Sequence, residues 1–103
     1  MIVYELRHDI YIWEDCETIV KTLLFETKAD AIEYLNIKKA DIIDEYCNHL
    51  DVSYSIESLR NYINASDHAC DDIVDDEDYF FVEIEEYGHD KLSVNKKEVL
   101  KFK

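Results

Sequence analysis

Residues 2–11 have the sequence IVYELRHDIY, a run rich in β-branched and aromatic side chains. Hydrophobic residues such as Ile2 and Leu6 recur at even spacing, which is the period of a strand with one face against a core. A polar turn at residues 14–17 separates this run from a second apolar run, from Thr18 to Phe25. Two strands joined by so short a connection return antiparallel to each other, so the sequence predicts an N-terminal hairpin.

Three helices are predicted after this hairpin. The first begins at about Lys28, because Thr27 is a good N-cap and Asp30 stands in the first turn, where the helix dipole favours an acid. Ser55 is a suitable cap for the third and shortest helix. The residues that form the three predicted core faces are Ala31, Ile32 and Leu35, then Ile43, Tyr46, Cys47 and Leu50, and then Ile56, Leu59 and Tyr62 or Ile63.

The remaining sequence predicts a loop and two strands. The polar segment 64–78 lacks periodicity and is expected to be a loop or a frayed helix end. Residues 79–87 alternate as a strand, the single glycine Gly88 marks a turn, and a last short strand is expected around residues 99–102. The chain is therefore predicted to be one α+β domain over residues 1–103. Its small antiparallel sheet combines the N-terminal hairpin with C-terminal strands, and about three helices pack on one face.

Composition sets the class of protein. The chain has a formal net charge of −14, yet 48% of its residues are hydrophobic, which favours a folded domain over a disordered acidic tail. No leader-like segment and no apolar run of about 20 residues is present, so a cytoplasmic protein is expected, without membrane contact. The three cysteines, Cys16, Cys47 and Cys70, cannot all pair within the chain and are expected to be reduced thiols.

The charge is divided unevenly along the chain. Residues 1–90 carry a net charge of −18, whereas residues 91–103 carry five lysines and one glutamate, a net charge of +4. This basic end is expected to be a lysine-protected edge strand. The alternatives are that it folds back on the acidic region as a strand and partly neutralises it, or that it stays free.

The chain has no lysine or arginine between Arg60 and Lys91, but that window contains eleven carboxylates. Such a concentration adds little to folding, because like charges repel, so it points to a positively charged partner.

On a strand, Glu83 and Glu85 would stand about 6.6 to 6.8 Å apart on one face. Successive phosphates of one DNA strand are separated by roughly 6 to 7 Å, so this face is a candidate mimic of nucleic acid. The predicted partner-binding residues are Asp71, Asp72, Asp75, Asp76, Glu77, Asp78, Tyr79, Phe81, Glu83, Glu85, Glu86 and Tyr87. The alternative is a solvated acidic surface that maintains solubility, with the aromatic residues in the core.

Metal and catalytic sites find little support in the sequence. A calcium loop beginning at Asp67 would have Ala69 as its third residue and Asp72 in place of the required glycine at its sixth. Two Cys/His pairs, Cys47 with His49 and His68 with Cys70, have the ligand types of a zinc site. A pair two residues apart on a helix points in opposite directions, so one metal ion could not reach both. No nucleophile motif or phosphate-binding glycine loop is present, and a non-enzymatic protein without cofactor or metal is expected.

In its size, its charge and its acidic cluster from Asp71 to Glu86, the chain resembles small acidic phage-encoded inhibitors of the anti-CRISPR and anti-restriction type. The resemblance implies a DNA-mimicking inhibitor that binds a basic nucleic-acid-processing enzyme, such as a CRISPR nuclease, in the bacterial host cytoplasm. The lysine-rich end departs from a purely acidic mimic. Bacterial immunity proteins that neutralise nuclease toxins are similar in size and charge and are the first alternative; an acidic adaptor without inhibitory activity is the second.

Overall fold

The computed structural model describes residues 1–100. Within them the chain forms five strands and two helices, in an α+β arrangement. The elements in chain order are β1 (Ile2–Ile12), β2 (Glu17–Phe25), α1 (Lys28–Leu50), α2 (Ile56–Ala65), β3 (Asp72–Asp76), β4 (Tyr79–Ile84) and β5 (Gly88–Glu98). The strands form one antiparallel sheet in the order β2-β1-β5-β4-β3.

The predicted N-terminal hairpin is confirmed. β1 pairs with β2 from Tyr4 opposite Phe25 to Ile12 opposite Glu17. Its other edge pairs with β5 along its whole length, so β1 lies inside the sheet. The turn between β1 and β2 ends at Cys16, whose φ of 50° is left-handed.

The first helix begins where it was predicted, but it does not end before the second. Thr27 accepts a hydrogen bond from the backbone N–H of Asp30 at 3.2 Å, and α1 then runs for 23 residues as one helix. No glycine or proline lies in the segment between the two predicted helices, and its lysines and alanine are good helix formers. Ser55 caps α2 as predicted, so residues 1–100 contain two helices rather than three.

Two predictions for the C-terminal half are wrong. Residues 72–76 form β3 rather than loop, because Ile73 and Val74 pair with Val82 and Phe81 of β4. The last strand, β5, begins at Gly88 and ends at Glu98, before the predicted strand at residues 99–102, of which 101 and 102 lie outside the described residues. β5 lies between β1 and β4, but β4 pairs only with its residues 88–93. Lys91 is therefore inside the sheet, whereas Lys96 and Lys97 lie on a stretch of β5 that pairs with β1 alone within residues 1–100.

Both helices pack on one face of the sheet, and the core lies between these two layers. Fully buried side chains from α1, α2, β4 and β5 meet there. The largest of them are Tyr46, Phe80, Leu35, Leu59, Leu92 and Val82. No helix within residues 1–100 combines the length and the apolar character that crossing a bilayer requires. The opposite face of the sheet is not covered by either helix and is called the open face below.

Candidate protein-binding surface

The open face carries the aromatic and acidic residues of β4. Phe80, Val82 and Ile84 of this strand are almost completely buried against the helices. Because successive side chains of a strand point to opposite faces, Tyr79, Phe81 and Glu83 lie on the open face, as the sequence predicted. They are partly exposed, so the aromatic rings do not belong to the core.

Residues of β1 and β5 extend this aromatic surface across the sheet. The ring of His89 stacks on Tyr11, with 5.3 Å between the ring centroids, and it lies 5.8 Å from Phe81. Lys91 places its Nζ 5.7 Å from the centroid of the Tyr79 ring. These contacts hold the aromatic side chains in fixed positions, which lowers the entropy that they would lose on binding a partner.

The β3–β4 hairpin places carboxylates directly opposite each other at the margin of this surface. Asp72 of β3 pairs in register with Glu83 of β4, and Asp76 pairs with Tyr79. Side chains at opposed positions of an antiparallel pair have Cβ atoms about 4.5 to 5.5 Å apart, and like charges there are destabilising. Nδ1 of His89 lies 3.5 Å from the carboxylate of Glu83.

Two of the predicted partner-binding aspartates have structural contacts instead. The side chain of Asp71 is completely buried and accepts hydrogen bonds from the backbone N–H of Glu85, at 2.8 Å, and from the hydroxyl of Ser66. Asp75 points towards the helices and forms ion pairs with Lys39 and Arg60, at 2.9 and 3.5 Å. Asp71 thus joins the loop before β3 to the turn after β4, and Asp75 joins β3 to both helices.

The strand that was predicted from Tyr79 to Tyr87 ends at Ile84. Glu83 is therefore on β4, but Glu85 is not. Glu85 and Glu86 lie in the turn before β5, and Glu86 has a left-handed φ of 64°. The carboxylate of Glu85 lies 3.3 Å from Nε2 of His68. The fixed strand repeat of Glu83 and Glu85 is therefore absent from this fold.

Tyr87 also lies away from the open face. Its hydroxyl donates a hydrogen bond to Glu45 of α1 at 3.0 Å, and its ring stacks on His49 with 3.8 Å between centroids. Its edge also contacts Tyr46. Burial, followed by the hydrogen bond to Glu45, raises the pKa of Tyr87 above its ordinary value. This side chain anchors the turn to α1.

A set of exposed carboxylates remains after these assignments. Its members lie on β3 and on the two turns that flank β4, and none of them forms an ion pair with a cation of residues 1–100. They are Asp72, Asp76, Glu77, Asp78 and Glu86. Together with Glu83 and the open-face rings of Tyr79 and Phe81, they define the candidate surface, which we call the acidic hairpin surface.

Asp90 is one of the eleven carboxylates between Arg60 and Lys91, but it lies on the helix side of the sheet. It is only 7% exposed. Its carboxylate accepts a hydrogen bond from the Tyr46 hydroxyl at 2.7 Å and lies 2.7 Å from Nε2 of His8. Burial, followed by the neighbouring Asp90 carboxylate, raises the pKa of Tyr46 above its ordinary value. The alternation of Asp90 with Leu92 and Val94 is the sequence signal that would have placed it inward.

Asp90, Tyr46 and His8 form a largely buried polar cluster. They line a cleft of about 380 Å³ between α1 and the β1–β2 side of the sheet. Lys21 and Lys38 reach the same cleft, as do Asp41 and Glu45. The cleft is therefore lined by both acidic and basic side chains. Residues 1–100 contain no group of three or more histidine, cysteine, aspartate or glutamate side chains placed to hold a metal ion.

The raised pKa of Tyr46 predicts a loss of stability at alkaline pH. Below the unfolded-state pKa of about 10 the phenol is neutral in both states, and its contribution is fully present. Above that pH the unfolded chain releases a proton that folded Tyr46 retains, so the free energy of unfolding falls by about 1.4 kcal/mol per pH unit for this group.

Urea denaturation between about pH 9 and pH 11 checks this prediction, because the Tyr46→Phe variant should show a shallower decline than the parent protein. At neutral pH the variant should be about 1 to 2 kcal/mol less stable, because Asp90 loses a hydrogen-bond donor. Equal slopes for the two proteins would show that Tyr46 does not resist ionisation in the fold.

No family model, no curated protein and no solved structure matches the chain.

Proposed function

We propose that the protein is a non-enzymatic inhibitor that binds a basic nucleic-acid-processing enzyme through the acidic hairpin surface and blocks its binding of nucleic acid. The partner of this proposal presents a cleft rich in lysine and arginine, as nucleases do for phosphates. The acids Asp71 and Asp75 and the phenol of Tyr87 support the surface rather than contact the partner, because their side chains are engaged within the fold.

The observation that carries the proposal is the pairing of Asp72 with Glu83. Two carboxylates at directly opposed strand positions weaken the hairpin, and a lysine at either position would strengthen it. Asp76, Glu77 and Asp78 continue the same negative charge around the turn. A positively charged partner provides the counter-charge that folding does not.

The aromatic side chains of the open face give this surface more than charge. Tyrosine and phenylalanine are enriched in the buried centres of protein interfaces because they are large, rigid and partly polar. Tyr79 and Phe81 lie on the strand next to the exposed acids of β3, so one partner can contact both. Charge would then steer the encounter, and the rings would supply the apolar contact area.

Reversal of charge on β3 provides the first test. In the double variant Asp72→Lys and Asp76→Lys, both new side chains stand on the exposed edge strand, and the opposition between residues 72 and 83 becomes attractive. The variant should be as stable as the parent protein or more so, while its association with the partner slows by about tenfold or more at low ionic strength. Denaturation and surface plasmon resonance measure the two effects separately.

The matched control changes Glu14→Lys and Asp15→Lys in the turn between β1 and β2. Both positions are exposed, and the change in net charge is the same. This control should bind the partner nearly as fast as the parent protein. An equal loss in both variants would mean that only the overall charge matters, and full binding by the β3 variant would place the binding site elsewhere.

Competition with DNA separates the proposed inhibitor from an adaptor, and identification of the partner separates it from an immunity protein. A partner captured from bacterial lysate on immobilised protein should be released by duplex DNA, and its affinity for this protein should fall as salt rises. Release by DNA is expected for an inhibitor that occupies a nucleic-acid channel and for an immunity protein that covers a nuclease active site. Identification of the captured enzyme distinguishes these two. Retention of the partner in the presence of DNA would favour an adaptor and contradict the proposal.

A further inference from the structure

The strand β2 forms the second edge of the sheet, at the far side from the acidic hairpin surface. It pairs with β1 through nine consecutive residue pairs, and no strand within residues 1–100 pairs with its other side. Its sequence is ETIVKTLLF, without glycine or proline. A long, regular edge of this kind presents a row of backbone N–H and C=O groups that can pair with another strand.

Apolar side chains of β2 are exposed on both faces of the sheet. Val20 and Leu24 lie on the open face and are 48% and 59% exposed. Leu23 lies on the helix side, yet it is 45% exposed, because α1 packs mainly over β1 and β5. Ile37 of α1, which is 54% exposed, lines a groove with Phe25 of β2. Tyr34 and the acids Asp30 and Glu33 of α1 line the same groove, so the exposed apolar side chains are concentrated on β2 itself.

The two edges of the sheet differ in their protection against pairing. β3 is only five residues long and carries three aspartates, which oppose the approach of another acidic chain. β2 is nine residues long and carries one glutamate and one lysine, a net charge of zero. On its open-face side the row consists of uncharged residues alone. These are Thr18, Val20, Thr22 and Leu24.

The charges of β1 nearest to this edge are neutralised within the chain. Arg7 pairs with Asp9 at 3.0 Å, and Glu5 pairs with Lys97 at 2.9 Å. The β2 side of the open face is therefore nearly neutral, although the whole chain carries a formal charge of −14. On the open face, a second copy of this chain can therefore pair along β2 without bringing unpaired like charges together, and the acidic hairpin surfaces of both copies then lie at opposite ends of the assembly.

We infer that β2 is the interface for a second copy of this chain, which pairs antiparallel with it to form one continuous ten-stranded sheet. A two-fold axis at Thr22 places Val20 opposite Leu24 and Ile19 opposite Phe25 of the second copy. Lys21 then lies opposite Leu23, so no two charged residues of β2 are directly opposed. This register covers the three exposed apolar side chains of β2, and the contact leaves the acidic hairpin surface free in both copies.

Sedimentation velocity at physiological salt, from about 1 µM to about 1 mM protein, tests the inference. The parent chain should sediment as a dimer at the upper concentrations, and the double variant Val20→Lys and Leu24→Lys should remain a monomer. The matched control, Tyr54→Lys, also replaces an exposed large side chain but lies after α1, and it should dimerise like the parent. A parent chain that is monomeric throughout, or a double variant that still dimerises, would overturn the inference.

Cross-linking tests the register independently of whether the lysine variants fold. In a background of Cys16→Ser and Cys70→Ser, the Thr22→Cys variant should form a disulfide-linked dimer on mild oxidation. Opposed residues of an antiparallel pair have Cα atoms about 4.5 to 5.5 Å apart, which a disulfide can span. Thr18→Cys in the same background should remain unlinked, because residue 18 lies far from its own copy in this register. Linkage through residue 18 instead of residue 22 would overturn the proposed pairing.

Discussion

Replacement of Gly88 by alanine is expected to destabilise the protein by about 3 kcal/mol or more. Gly88 has a φ of +155°, which side chains of L-residues rarely adopt, and a Cβ at this position would overlap the backbone carbonyl oxygen of Tyr11. Strained dihedrals cost about 1 to 3 kcal/mol and overpacking costs a similar amount. Neither term can be relieved by rotation of a side chain, because the clash is with the neighbouring strand. Calorimetry should show a midpoint lowered by about 12 °C or more.

Glu86→Gly in the same turn is the matched control. Glu86 has a left-handed φ of 64°, so glycine relieves strain there, and the variant should be as stable as the parent protein or up to about 1 kcal/mol more stable. Comparison of Gly88→Ala with Glu86→Gly shows whether glycine is required at residue 88 itself or whether any substitution in this turn lowers the stability. A Gly88→Ala protein with an unchanged midpoint would contradict the close approach of β5 to β1.

Asp90→Ala is the second substitution with a large expected effect, a loss of about 3 kcal/mol. Asp90 joins three elements, because its carboxylate on β5 contacts Tyr46 of α1 and His8 of β1 at 2.7 Å each. Without it, a phenol that is only 1% exposed and a half-buried imidazole lose their partner. A buried polar group left without a partner costs about 1 to 3 kcal/mol. Urea denaturation at neutral pH measures the loss.

Two further variants define the cause of this loss. Asp90→Asn keeps an acceptor oxygen for one of the two partners and should cost about half as much as Asp90→Ala. Asp78→Ala removes an exposed carboxylate from the turn before β4 and should change stability by less than about 0.5 kcal/mol. If Asp90→Ala behaved like Asp78→Ala, the buried cluster would contribute nothing to the fold.

Local signals in the sequence were sufficient where the neighbours that decide a conformation are close along the chain. Thr27 and Ser55 cap the two helices as predicted, because a cap depends on a backbone N–H only three residues away. The hairpin of β1 and β2 follows from two apolar runs and a short turn. The facing of Tyr79, Phe81 and Glu83 follows from the period of a strand, once the strand is recognised.

Local sequence signals predicted the candidate surface only in part. The acids are evident in the sequence, but Asp71, Asp75 and Asp90 are engaged inside the fold by groups distant along the chain. β3 was missed because Asp72, Asp75 and Asp76 have low strand propensity, which pairing with β4 overrides. Lys91 was expected at an edge but lies on the part of β5 that pairs with both β1 and β4, because composition does not reveal which strand lies in the middle of a sheet.

The amino-acid pattern is enough to predict the class of the fold, the caps of its helices, its N-terminal hairpin and the concentration of negative charge between Arg60 and Lys91. Each of these depends on composition or on residues close together in the chain. The folded structure is needed to show which carboxylates face solvent and which are held by Tyr46, Lys39 or His68. It is also needed to show that β2 forms an edge of the sheet within residues 1–100. The physical reason is that strand order and long-range hydrogen bonds join residues far apart in sequence, and no local pattern specifies them.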